Sequence, residues 1–201
     1  MVTLTITRYP KKYVFFALLS MALFRLPLFF NKKVSFFKLL GSGKDGQFVK
    51  TPDWQQWGIF TVSNTIDIDN VNVYGNFINK WLHFFNCETW TVFLEPIQGH
   101  GKWDGKEPFG VLQKQNDHVG RIAILTRATI NFSKIKAFWK DIEAVATTMK
   151  STAGFEMALS IGEAPFIKQA TFSVWENKES MMNFVYKMHQ HKEVIKKNKS
   201  R

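Results

Sequence analysis

Two histidines stand two residues apart in MHQHKEVI, His189 and His191, and they are the first groups in this sequence that could do chemistry. A neutral imidazole binds metal ions and carries protons near neutral pH. On a helix, residues two apart point in different directions, so at most one of the pair can serve a given partner; the alternative is exposed histidines on a basic helix end. Cys87, the single cysteine, rivals them as a thiolate ligand, or is a small buried apolar residue. Glu163, in GEAP, is a possible acid–base group, and Arg127, inside LTRATI, a cation that needs an anion if its strand is buried. Arg8 holds the matching place in LTITR, which weighs equally for a structural ion pair at Arg127. Trp103, Phe109, Phe172 and Trp175 could wall an apolar pocket, or be core.

The elements that must position these groups read as a pattern stated twice. Alternation and helical spacing predict strand 2–8, helix 11–26, strand 34–40, a loop over 41–56, strand 57–63, a helix over about 70–84 and a short strand near TWTVFLEP. After the Gly- and Pro-rich stretch IQGHGKWDGKEPFG, strand RIAILTRATI, a helix from Ser133 to about Lys150, strands FEMALSIG and KQATFSVW and a helix from about Lys178 follow. LTITR (4–8) matches AILTR (123–127), Gly41 matches Gly162, and IFTVSN (59–64) matches TFSVWE (171–176). One α+β domain over 1–201 is expected, built from pseudo-repeats of about 1–96 and 119–201 joined by 97–118. Each half reads as a ferredoxin-like, split βαβ unit whose sheet leaves one apolar face bare. Two such sheets packed face to face would cover both faces and enclose a hollow suited to an apolar ligand.

Composition narrows the partners. The chain has 201 residues, is 45% hydrophobic and carries 20 Phe and 7 Trp, which excludes disorder. The net charge of +11 is concentrated at the ends: residues 1–50 hold Asp45 as their one acid, and residues 187–201 hold Glu193 alone. Such ends suit anionic lipid or nucleic acid, but the aromatic signature of an RNA-recognition sheet is absent, so no nucleic-acid partner is expected. No disulfide, CxxC pair or nucleotide-binding glycine pattern is present, and Asp67 and Asp69 read as a helix cap. The apolar run 13–24 follows Lys11 and Lys12 but is closed by Arg25 and Pro27 and lacks a cleavage site. It reads as a helix that is buried or pressed on a membrane, in a cytoplasmic protein peripheral on the membrane's inner face.

LTRATI (125–130) with GEAPFIKQATFSVW (162–175) resembles the spheroidene monooxygenase family of carotenoid-modifying proteins. LLGSGKDGQF (39–48), the Pro52–Trp57 segment, GKWDGKEPFG (101–110) and HKEVI (191–195) resemble the family's blocks in the same order. The resemblance implies a haem-dependent enzyme that uses molecular oxygen to hydroxylate and then ketolate a carotenoid, on a dimeric α/β-barrel type scaffold. It implies His191, or else His189, as the axial ligand of haem iron, Arg127 as a partner for a haem propionate or bound oxygen, and Glu163 as a proton donor. Trp103, Phe109, Phe172 and Trp175 would then line the polyene. Electrons would come from an external donor such as a ferredoxin, and a homo-oligomer is possible. The end KKNKSR departs from the family's aromatic and acidic tail, so a non-catalytic or cofactor-free binder of a lipid, pigment or small aromatic is the alternative.

Overall fold

Side-chain alternation divides each strand between two apolar surfaces, and the chain satisfies both with a single sheet. The computed structural model describes residues 1–63, 73–112, 117–164 and 167–199, with 189–199 described by backbone alone. The elements are β1 (Val2–Arg8), α1 (Val14–Leu23), α2 (Arg25–Phe30), β2 (Val34–Gly43), β3 (Pro52–Ser63), α3 (Asn76–Phe84), β4 (Glu88–Leu94), β5 (Ile122–Thr129), α4 (Ile135–Lys150), β6 (Phe155–Ala164), β7 (Lys168–Trp175) and α5 (Lys178–Lys199). The sheet has seven strands in the order β4-β1-β3-β2-β6-β7-β5, all pairs antiparallel.

The strand order is symmetric about its centre. From the centre outward, β2-β3-β1 in one half is mirrored by β6-β7-β5 in the other, and β4 extends the first half alone. The expected pair of separate, face-to-face sheets is corrected: the halves join edge to edge where Gly41 pairs Gly162 and Ser42 pairs Ile161. The two glycines matched by sequence are thus the residues that meet at the seam. A Cβ on Gly162 would sit 2.6 Å from the Lys168 carbonyl oxygen, whereas one on Gly41 would find nothing closer than 3.7 Å. Gly162→Val is therefore expected to cost about 1–3 kcal/mol and lower the melting temperature by several degrees, with Gly41→Ala close to neutral. Thermal unfolding followed by circular dichroism checks this.

The sheet curls, so its bare face is covered by itself. The Trp90 ring on β4 lies 6.4 Å from that of Phe172 on β7, five places away in the strand order. The concave face carries the apolar core of Leu4, Ile6, Leu40, Phe60, Ile161 and Phe172, with Trp103 inserted from the connection between β4 and β5. On the convex side, Ala17, Phe24, Leu28, Ile78, Leu82 and Phe85 pack with Leu39 and Ile59, and Met149 of α4 with Met181 and Phe184 of α5 packs with Ile122 and Trp175.

Other boundaries differ from expectation for local reasons. The loop expected over 41–56 is shorter, because β2 runs on to Gly43 and β3 begins at Pro52. Pro27 does not end the first helix: the chain breaks at Phe24 and restarts at Arg25, which places Pro27 in a first turn where its missing N–H is tolerated. The Asp67 and Asp69 cap and the first residues of the helix expected from about 70 lie outside the described residues; α3 begins at Asn76.

Candidate functional site

Strand parity brings four charges onto the concave, apolar face. Lys38 shares its face of β2 with Phe36 and Leu40, Arg127 shares β5 with Ala123 and Leu125, Glu163 shares β6 with Leu159 and Ile161, and Lys168 shares β7 with Ala170 and Phe172. Charges there need partners, and Glu163 supplies the central one. Its Oε2 accepts from Lys38 Nζ at 2.7 Å, and its Oε1 accepts from Trp103 Nε1 at 2.8 Å and Arg127 Nη2 at 3.0 Å. The Arg127 guanidinium lies 4.1 Å from the centroid of the Trp103 ring, a cation–π contact. Asp104, next along the chain, accepts from Lys38 and from Lys168 Nζ, the latter at 3.1 Å. Four strands and the 95–112 connection are thereby tied at one point.

The 95–112 segment closes one side of a cavity of about 1310 Å³ that opens between β4 and β5. Phe60, Phe93, Leu94, Phe109, Leu125 and Phe172 supply apolar wall, and His100, His118, Arg121, Arg127 and Lys178 supply its imidazoles and cations. Glu95, Glu107 and Asp117 add acids, so the chamber combines an apolar patch with a comparable share of polar and charged wall. Among the described residues, no group of three or more His, Cys, Asp or Glu is placed to hold a metal ion. Were haem bound here, His100 or His118 could hold its iron, and Arg121, Arg127 and Lys178 are cations suited to its carboxylates.

Electrostatics assign the acids a holding role. Burial acts to raise the Glu163 pKa, but hydrogen bonds from Lys38 and Trp103 and the Lys38 charge outweigh it and leave the carboxyl below its usual range. Hydrogen bonds from Lys38 and Lys168 bring Asp104 down to about 2. For Lys38, burial pulls downward, yet Asp104 and Glu163 leave its pKa raised. Glu163 is consequently ionised at neutral pH, which disfavours the proton-donor role expected for it. Carboxyls depressed in the folded state add stability that is complete above their unfolded pKa values, near 4, and is lost as pH falls through the folded values. Stability of the intact protein should thus fall steeply from about pH 4 towards pH 2, and Asp104→Asn should flatten that limb in urea titrations run across this range.

No family model matches the chain. It is 35% identical over 161 residues to spheroidene monooxygenase of Cereibacter sphaeroides, covering 80% of this chain and 49% of that protein. It is 31% identical over 169 residues to spheroidene monooxygenase of Rhodobacter capsulatus, covering 82% of this chain and 69% of that one. The chain belongs to the spheroidene monooxygenase family. It spans about half the length of the Cereibacter relative. A crystal structure described as a candidate monooxygenase from Fusobacterium nucleatum is similar at 12% identity and a TM-score of 0.33, over 91% of this chain and 79% of that one; a likeness at that score identifies neither fold nor function.

Within this spheroidene monooxygenase family member, the residues singled out from sequence divide into three groups. Arg127, Glu163, Trp103, Phe109 and Phe172 come together at or beside the cavity. Trp175 does not: it is three residues from Phe172, hence on the opposite face of β7, where it packs under α5 with its ring 5.3 Å from Phe184. Cys87 also lies on the convex side, near Tyr9, where burial pushes its thiol up to about 11, so it is no ready thiolate. The side chains of His189 and His191 lie outside the described residues. The backbone of α5 places His191 ten residues, roughly 15 Å of helix, beyond Met181, which lines the cavity. Arg8 parallels Arg127, pairing with Asp53 at 3.1 Å.

Sequence reasoning missed Lys38, Asp104, His100 and His118. Lys38 carried a legible signal, a lone charge in the apolar run FFKLL, the same cue that drew attention to Arg127. The other three sit in the turn-rich connection or just after it, where no periodicity says which way a side chain points.

Proposed function

We propose that this protein is a carotenoid monooxygenase that receives the end of a long acyclic polyene in the cavity between β4 and β5. The observation that carries the reading is the contiguous apolar patch that Phe60, Phe93, Leu94, Phe109, Leu125 and Phe172 present to that cavity, in a chain belonging to a carotenoid-modifying family. Phe60, Phe109 and Phe172 offer flat apolar surface that takes up a polyene without demanding hydrogen bonds. Trp103 and the 95–112 segment shield that surface from water, and the Glu163 network holds the segment in place. Haem, which the family resemblance implies, would supply the activation of molecular oxygen, with reducing equivalents from a separate donor such as a ferredoxin. An imidazole would hold it: His191 by resemblance, or His118 by its place on the cavity wall. Arg121, Arg127 or Lys178 would receive its carboxylates. We read the two halves as ferredoxin-like units of a dimeric α/β-barrel type domain.

The test is expression with haem supply in a polyene-producing host, with the absorption spectrum and the carotenoid products as readouts. A Soret band and hydroxylated or keto carotenoid are expected. His191→Ala and His118→Ala, measured side by side, assign the ligand: the one that loses the band held the iron. The absence of both band and product would overturn the reading. Because the chain spans half of the Cereibacter relative's length, pigment binding without turnover is the second reading, and stoichiometric bound pigment with no oxygenated product would favour it.

A further inference from the structure

The convex side of the molecule carries a feature that neither the cavity nor the ion network uses. The stretch Lys11–Phe30 is 20 residues long and apolar enough to cross a bilayer. One face of it packs along the sheet: Ala17, Ser20, Phe24 and Leu28 recur at helical spacing and are at most 3% exposed. An ordinary amphipathic helix would present polar residues on the other side. Here the outward stripe is Phe15, Leu18, Leu19, Leu26, Phe29 and Phe30, with Phe15, Leu26, Phe29 and Phe30 between 63% and 74% exposed. Phe77 of α3, whose ring lies 6.4 Å from that of Phe24, and the 75% exposed Phe84 widen the apolar face. Exposed Lys11 and Lys12 stand at one end, Lys32 and Lys33 at the other and Arg25 between them, with no acid from Met1 to Lys44.

We propose that this face is a monotopic membrane anchor: α1 and α2 lie in the plane of an anionic leaflet, with the phenylalanines and leucines among acyl chains and the flanking cations on lipid phosphates. Charge decides the occupant, since a surface for a second copy of this chain would bring like cations together, whereas a phosphatidylglycerol surface neutralises them. The helix stripe then acts as an interfacial helix held rigid by the sheet beneath it. Neither haem nor turnover enters this inference, so its failure and that of the proposed activity are separable.

The experiment is cosedimentation of the full chain with vesicles of phosphatidylcholine, with and without phosphatidylglycerol, at low and high salt. Strong binding to the anionic vesicles, weakened by salt, is expected. The Phe15→Ser/Phe29→Ser/Phe30→Ser variant should lose about a hundredfold in partitioning while keeping its melting temperature. Lys11→Gln/Lys12→Gln, which leaves the apolar stripe intact, should lose roughly fivefold for each charge removed. No binding to either vesicle overturns the proposal, as does unchanged binding by both variants. So does a lipid-free dimer, seen by analytical ultracentrifugation, that the triple variant converts to monomer.

Discussion

Replacing Trp103 with alanine is expected to lower stability by about 3–5 kcal/mol and to abolish product formation in the polyene-producing host. Trp103 is 4% exposed, with its ring 5.0 Å from that of Phe60 and 5.3 Å from that of Phe36. Its removal takes the filling from the concave core, the cation–π partner from Arg127 and the indole donor from Glu163. For a chain of this length the loss corresponds to a melting temperature lower by roughly 10 °C. The 95–112 segment should also become more sensitive to limited proteolysis, because Trp103 is its buried anchor. Trp103→Phe keeps most of the apolar filling and loses the indole N–H, so it should fall between wild type and alanine. A Trp103→Ala protein that melts normally and still oxygenates carotenoid would show that the segment is held by other means.

Glu163→Ala is the second large effect, expected at about 2–4 kcal/mol, because it leaves Lys38 and Arg127 without their shared carboxylate on an apolar face. The side chains of the three residues are between 14% and 24% exposed, so the penalty is below that of a fully buried pair. Removing a cation together with the acid should recover part of the loss: Glu163→Ala/Lys38→Met is expected to be more stable than Glu163→Ala alone, a coupling that a double-mutant cycle measures directly. If Glu163 served as a proton donor and not as an anchor, Glu163→Gln would suppress turnover while leaving the melting temperature untouched. The geometry predicts the reverse order of effects, with stability responding first.

The strands and helices were legible because their signals are local. VTLTITR, KQATFSVW and the helix from Ser133 to about Lys150 each carry a local period, whereas Gly41 and Gly162, matched only as equivalent turns, proved to pair with each other at the seam. Family membership was legible for a related reason, since ordered sequence blocks survive without knowledge of their contacts. What sequence could not settle was which half-surfaces meet. Whether two sheets stack or join edge to edge depends on pairing between residues far apart in sequence, such as Ser42 with Ile161, and no local period encodes it.

The candidate site divides along the same line. Arg127 drew attention as a charge in an apolar strand and Glu163 as an acid–base group beside the Gly162 turn, and the two pair with each other at 3.0 Å. Trp175 was misplaced by a question of parity: three residues from Phe172 along a strand is an odd step, and only the tertiary structure showed which parity faces the cavity. Asp104 and His118 stayed silent because irregular backbone gives no period from which to read direction. By itself, then, the sequence determined most of the elements, the family and the presence of apolar surface on both sides of the sheet. Only the tertiary structure decided that one such surface curls around a cavity while part of the other stays exposed, because burial is set by long-range contacts that a hydrophobic pattern requires but does not specify.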